Sequence, residues 1–174
     1  MNQAAVVGTR MSGGPDASGA ARLIALLLPA ALLAGAYWSQ YFGGLYPCEM
    51  CWWQRYAHFA ALVPAVLAFT APAGSSRSRA FTLLAALAIA VAGGIGVYHA
   101  GVEAKIFEGF TQCTALSNSS STAELLKQIT QAPLVRCDEV QWRFLGLSLA
   151  AWNAIFSLGG ATLVVVLTLR GRRA

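Results

Sequence analysis

The residues best equipped for chemistry in this 174-residue chain are its four cysteines, Cys48, Cys51, Cys113 and Cys137. Cys48 and Cys51 form a C-x-x-C unit. Three chemistries use that spacing. It can be half of a tetrahedral metal site, completed here by Cys113 and Cys137. It can be an inert structural disulfide, or a redox-active pair. Metal sites usually repeat the close spacing, and Cys113 and Cys137 lie far apart in sequence. Pro47 and the apolar run beyond Cys51 place Cys51 where a helix begins. There the unpaired backbone N–H groups and the helix dipole stabilise an anion. Arg55, one turn further on the same face, adds a positive charge. Both favour a thiolate at Cys51, and the thiolate is the reactive form. An arginine near the end of a charge-poor segment is itself a functional candidate; the alternative is a side chain reaching out to lipid headgroups.

The elements that must position these groups are apolar. The chain is 57% hydrophobic and only 11% charged, against roughly 25% charged in an average soluble domain. Charge-free runs cover Leu23–Pro47, Tyr56–Ser76, Ala80–Val102 and Phe144–Leu169. Each exceeds the ~20 helical residues that cross a hydrocarbon core. The expected fold is an all-α membrane protein, a four-transmembrane-helix bundle with spans at about 22–42, 51–70, 81–101 and 144–169. A tail at 1–21 precedes this single domain (22–170), and a basic tail at 171–174 follows it. The loops are 43–50 and 102–143. In the second loop, Ser121 and Glu124 have capping-box spacing ahead of Leu125, Leu126 and Ile129, which predicts a short helix lying on the membrane surface.

The net charge of +5 is a topology signal. Arg10, Arg22, Arg77, Arg79, Arg170, Arg172 and Arg173 fall in the two tails and the connector between the second and third spans. Glu49, Glu103, Glu108, Glu124, Asp138 and Glu139 fall in or at the edge of the other two loops. By the positive-inside rule both termini are cytoplasmic, and all four cysteines face outward, which in bacteria is an oxidising compartment. Ala34-Gly35-Ala36 resembles a signal cleavage site. The apolar run continues past it through Trp38 and Tyr41, so it reads as an uncleaved span, with Trp38, Tyr41 and Tyr46 as an outer aromatic belt. No basic stripe with interleaved aromatics suggests nucleic acid.

Pro47-Cys48-Glu49-Met50-Cys51-Trp52-Trp53-Gln54-Arg55 resembles the P-C-x-x-C-x-x-Q-R signature of the disulfide bond formation protein B (DsbB) family, bacterial oxidases of the dithiol carrier DsbA. Tyr98–Glu103 is similar to the end of that family's third span, and Cys137–Leu147 to its run into the fourth. The likeness extends over roughly residues 20–170. It implies a monomeric protein of the bacterial inner membrane, in contact with lipid and the quinone pool. Cys113–Cys137 would accept electrons from a thioredoxin-fold, DsbA-like carrier, with Cys113 forming the mixed disulfide. Cys48–Cys51 would reoxidise that pair, and Cys51 would pass two electrons to ubiquinone or menaquinone through a thiolate–quinone contact. Arg55, Gln54 and His99 are the implied quinone-binding residues, whereas His58, deeper on the same helix, is expected to stand outside the site. The Gly101–Cys113 stretch is shorter than in well-known members, which bears on carrier docking. Two other classes compete: a quinone reductase related to vitamin K epoxide reductase, whose C-x-x-C usually lies on the last helix, and a structural or metal-binding membrane protein.

Overall fold

The computed structural model describes residues 17–109, 121–123, 126 and 135–171. Four long helices make up most of it: α1 (Ala17–Tyr41), α2 (Glu49–Leu67), α3 (Ser76–Glu103) and α4 (Leu149–Arg170). A 3-10 turn, Ala68–Thr70, extends α2, and two-residue strands β1 (Arg143–Phe144) and β2 (Leu147–Ser148) precede α4. α3 is the central element, packed against both α2 and α4, while α1 closes the bundle against α4 and α2.

The bundle is polar inside and apolar outside. Ser78, Thr82, His58, His99 and Ser157 are buried, whereas Leu27, Val63, Leu87 and Phe156 are exposed. Water as the only solvent would favour the reverse; a lipid-facing surface explains it. α1, α3 and α4 are each long and apolar enough to cross a membrane, with mean hydropathies of 1.8, 2.2 and 1.8. α2, which carries Glu49, Gln54, Arg55 and His58, is not among them. The interior is lined by small residues, among them Ala25, Ala65, Ala85, Ala86, Ala92 and Ala161, which let backbones approach closely. Gly96 shows how closely: a Cβ there would meet the Ala150 carbonyl at 3.0 Å and the Ala154 nitrogen at 3.1 Å.

Several expected boundaries move. α1 begins at Ala17, so the last residues of the expected tail at 1–21 are helical. α3 exceeds the expected 81–101 at both ends; at its start the Ser75 hydroxyl caps it, accepting from the Ser78 N–H at 3.2 Å. α2 starts at Glu49, inside the expected loop, with Cys48 as its N-cap. The largest correction concerns the fourth span, expected from 144 and helical only from Leu149. Residues 143–148 instead form an antiparallel hairpin, Arg143 opposite Ser148 and Phe144 opposite Leu147. Leu145 (φ 50°) and Gly146 (φ 81°) turn it, the two positive φ values that a two-residue hairpin turn requires. The Trp152 indole donates to the Phe144 carbonyl at 3.1 Å, docking the hairpin on α4. The Ser148 hydroxyl then caps α4 by accepting from the Ala151 N–H. Most of the expected surface helix, including Glu124, Leu125 and Ile129, lies outside the described residues.

Gly96→Ala drives a methyl into the α4 backbone and is expected to cost about 1–3 kcal/mol, the usual penalty of overpacking. Gly94→Ala, with nothing within 4 Å of its Cβ, is expected to be neutral or slightly stabilising. The midpoint of unfolding in mixed detergent micelles measures both, and equal midpoints for the two variants would contradict this packing.

Candidate functional site

The N-terminus of α2 sets the position of the two sulfurs. Cys48 occupies the N-cap with extended backbone, and its Sγ accepts from the Cys51 N–H at 3.4 Å. A sulfur thus takes the place that Ser, Thr, Asp or Asn usually fills. The same turn brings the two unbonded sulfurs to 3.0 Å. Cys48 is buried and Cys51 half-buried. A Cys137 contact lowers the Cys48 pKa, but contact with Cys51, burial and the Cys51 charge outweigh it and push the thiol up to about 12. Cys48 therefore holds its proton and donates it toward Cys51.

Cys137 lies buried in one cluster with Cys48, Met50 and Val102. An ionic clamp holds it there. Lys105, in the left-handed region at φ 60°, donates to the Asp138 carboxylate at 2.6 Å and to the Asp138 carbonyl at 2.8 Å. Arg136 adds a two-pronged contact to the same carboxylate, 2.9 Å on each arm. Arg136, followed by Lys105, holds the Asp138 carboxyl well below the usual carboxylate range. The Gln141 amide further ties this segment to the first loop, donating to the Tyr46 carbonyl at 2.8 Å. Cys113 lies outside the described residues.

His99, on α3, faces the same sulfurs: its Nε2 is 3.5 Å from Cys48 Sγ and 3.8 Å from Glu103 Oε1. Its Nδ1 is 2.9 Å from Gln54 Nε2. Gln54 Oε1 in turn accepts from Asn153 Nδ2 of α4 at 2.7 Å. Asn153 Oδ1 is 2.9 Å from His58 Nε2 and accepts from the Ser157 hydroxyl at 3.1 Å. Asn153 was invisible as a site residue in the sequence, where it is a lone amide in an apolar run. A lone amide in a spanning segment is a signal worth following, since such a group needs a partner.

Arg55 does not reach outward. It is 5% exposed, donates to Gln40 Oε1 at 2.5 Å and to the Ala36 carbonyl at 3.0 Å, and lies between the Tyr37 and Trp52 rings at 4.7 and 4.9 Å. No hydrogen bond joins it to Cys51 among the described residues; its charge acts through space.

These groups border a cavity of about 290 Å³ between α1, α2 and α4. Ala31, Leu32, Gly35 and Ala36 form its α1 wall, and Cys51, Gln54, Arg55 and His58 its α2 wall. His99 of α3, Asn153, Trp152 and Phe156 of α4, and loop residues including Tyr46, Arg136, Glu139 and Trp142 also line it. His58, expected to stand outside the site, is on its wall, and its buried Nδ1 has no hydrogen-bond partner among the described residues. The donor atoms of Cys48, Cys51 and His99 also lie within 4.8 Å of one another, a possible three-ligand metal set.

A family model described as "Disulfide bond formation protein DsbB" matches residues 18–167. The chain belongs to the DsbB family. Among its relatives is the disulfide bond formation protein B of Xanthomonas oryzae pv. oryzae (strain MAFF 311018), 30% identical over 87% of this chain and 91% of the relative. The protein of the same name from Marinobacter nauticus is 31% identical over 76% and 81%, and that of Acinetobacter baylyi 31% over 79% and 85%. No solved structure matches the chain. Membership of the DsbB family implies a disulfide oxidoreductase that works in disulfide bond formation, and the apolar helices agree with a multi-pass membrane protein.

The Asp138 clamp has a defined pH dependence. Because the carboxyl pKa is depressed in the folded protein, the stability the clamp contributes is complete above the ordinary carboxylate pKa, declines as pH falls below it, and is gone once pH passes the depressed folded value. Asp138→Asn removes it at neutral pH. The variant is expected to raise the alkylation rate of Cys137 in the reduced protein several-fold at pH 7, by mass-spectrometric time course. An unchanged rate would remove the carboxylate as the anchor.

Proposed function

We propose that this chain is a four-span oxidase of the bacterial inner membrane that passes electrons from a periplasmic dithiol carrier, through two cysteine pairs, to a membrane quinone. The observation that carries the reading is the position of Cys48: it contacts Cys51 on one side and Cys137 on the other. An exchange partner from each proposed pair thus meets at one sulfur, and Cys51 borders a cavity. α2 serves as the fourth span. Its Gln54, Arg55 and His58 are buried inward while Tyr56, Phe59, Val63 and Val66 face out, so its lipid side is apolar although its mean hydropathy is low. Both termini are then cytoplasmic, as the arginine distribution requires.

The cavity fits a quinone ring. Its bundle walls are largely apolar, with Gln54, Arg55, His58, His99 and Asn153 among the polar groups, and Glu103, Arg136, Glu139 and Gln141 line its loop end, a mixed apolar and polar composition that suits a small-molecule site. When bound, a quinone accepts two electrons and two protons. The chain's own residues do the rest. The Cys113–Cys137 disulfide is reduced by the carrier, Cys113 forming the mixed disulfide. The Cys137 thiolate then attacks Cys48 Sγ: the Cys137–Cys48 bond forms, the Cys48–Cys51 bond breaks, and Cys51 leaves as a thiolate at the cavity wall. The Cys113 thiolate next attacks Cys137, restoring the loop disulfide and releasing Cys48 as a thiolate. Two electrons have then moved from one pair to the other. Arg55, held by Gln40 and Ala36, keeps a fixed positive charge beside the place where negative charge gathers, which needs no reorganisation during the reaction.

Anaerobic mixing of the purified protein with a reduced thioredoxin-fold carrier and quinone should consume the carrier's thiols. Cys48→Ser should abolish turnover. Arg55→Ala should raise the quinone KM about tenfold, as expected for one lost charge-assisted hydrogen bond of ~1.5 kcal/mol. Full turnover by Cys48→Ser would refute the reading, and an unchanged KM in Arg55→Ala would remove Arg55 from the quinone site.

A further inference from the structure

The buried ladder from His99 to His58 admits one arrangement of protons. Asn153 Nδ2 lies 3.2 Å from the Ala92 carbonyl, and Gln54 Nε2 lies 3.3 Å from the Met50 carbonyl. A backbone carbonyl only accepts, so each amide must turn its nitrogen toward it. Together with the Asn153–Gln54 bond, these contacts fix both orientations. The second Asn153 N–H then donates to Gln54 Oε1 at 2.7 Å, and the second Gln54 N–H donates to His99 Nδ1 at 2.9 Å. A ring nitrogen that accepts carries no proton. The neutral imidazole therefore carries its proton on Nε2, the nitrogen 3.5 Å from Cys48 Sγ.

We infer that Asn153 is a positioning residue which, through Gln54, locks His99 in the Nε2–H tautomer, so that the ring presents a hydrogen-bond donor to Cys48. The tautomer follows from the ladder alone; its consequence rests on the oxidase reading above. In that reading Cys48 is released as a thiolate when Cys113 attacks Cys137. A donor nitrogen 3.5 Å from the sulfur stabilises the developing anion, and charge-assisted bonds of this kind are roughly twice as strong as neutral ones. The opposite tautomer would set a lone pair against the anion.

The same lock bears on metal capture. A metal-bound histidine offers a lone pair to the ion and donates its other N–H to a neighbouring acceptor. Here the polarity is reversed: the nitrogen facing the sulfurs carries the proton, and the far nitrogen accepts from an amide. Asn153 and Gln54 thus keep Cys48, Cys51 and His99 from serving as a thiophilic metal site in spite of their 4.8 Å spacing. The other groups facing the ring are the Glu103 carboxylate, 3.8 Å from Nε2, and the Cys137 backbone, which also hydrogen-bonds the imidazole. Acceptors at the ring suit a donor nitrogen.

The chain has only two histidines, so 15N-histidine NMR of the full-length, reduced protein in nanodiscs reads the tautomers directly, with His58→Gln assigning the signals. His99 is expected to be Nε2-protonated in the wild type. Asn153→Leu should let the second tautomer appear, and Gln54→Glu, whose carboxylate only accepts, should reverse it to Nδ1–H. Should Asn153→Leu fail to fold, Gln54→Glu carries the test with the same spectrum. Gln54→Glu should also bind Zn²⁺ at least tenfold more tightly than the wild type. In turnover, Asn153→Leu should lower kcat. An Nδ1–H ring in the wild type, a pure Nε2–H ring in Asn153→Leu, or unchanged Zn²⁺ affinity in Gln54→Glu would each overturn the inference. A wild type with the expected tautomer but no dithiol oxidation would instead overturn the oxidase reading.

Discussion

Inside an apolar bundle surrounded by lipid, a polar side chain has no water to turn to. A buried donor or acceptor that finds no partner within the protein is costly. This constraint organises the molecule. Gln54, Arg55 and His58 of α2 can be buried only because α1, α3 and α4 bring Gln40, His99 and Asn153 to meet them. The small residues of the interior allow those helices to come close enough. Polar pairing and close packing thus depend on each other, and the cavity lies where the pairing groups leave space between α1, α2 and α4.

The reactive sulfurs sit at the edge of this system, where helix meets loop. Cys48 ends the loop and caps the helix, so its position follows from the start of α2 rather than from a mobile connection. On its loop side, Cys137 is fastened by the Lys105, Arg136 and Asp138 charges, which are exposed to water and individually weak. Near the sulfurs on the bundle side, the His99–Gln54–Asn153 bonds are buried and mutually dependent. A centre that exchanges bonds with one neighbour while holding the other in place suits this contrast: a releasable clamp on one side, a fixed ladder on the other.

Much of the arrangement was legible from local rules. Charge-free runs located the four helices, and Pro47 with the apolar run after Cys51 located the start of α2 near the sulfurs. The same reasoning failed where local pattern and three-dimensional context disagree. Phe144 to Ser148 continues an apolar run, and only the positive φ at Leu145 and Gly146 shows that it turns back before the helix begins. His58 was set aside because depth along a helix separates it from Cys51, yet the cavity runs along that helix face and reaches both.

The sequence by itself determined the helices, the family signature around Cys48 to Arg55, and the uneven distribution of charge among the segments that connect the helices. These depend on spacing along one chain and on composition, both of which are local. Only the tertiary structure decided that Cys137 is buried against Cys48, that Arg55 turns toward Ala36 and Gln40, and that Asn153 joins two histidines. Those are contacts between residues far apart in sequence, and their geometry depends on how helices pack, through the choice of small residues at many positions at once. No single spacing encodes that choice.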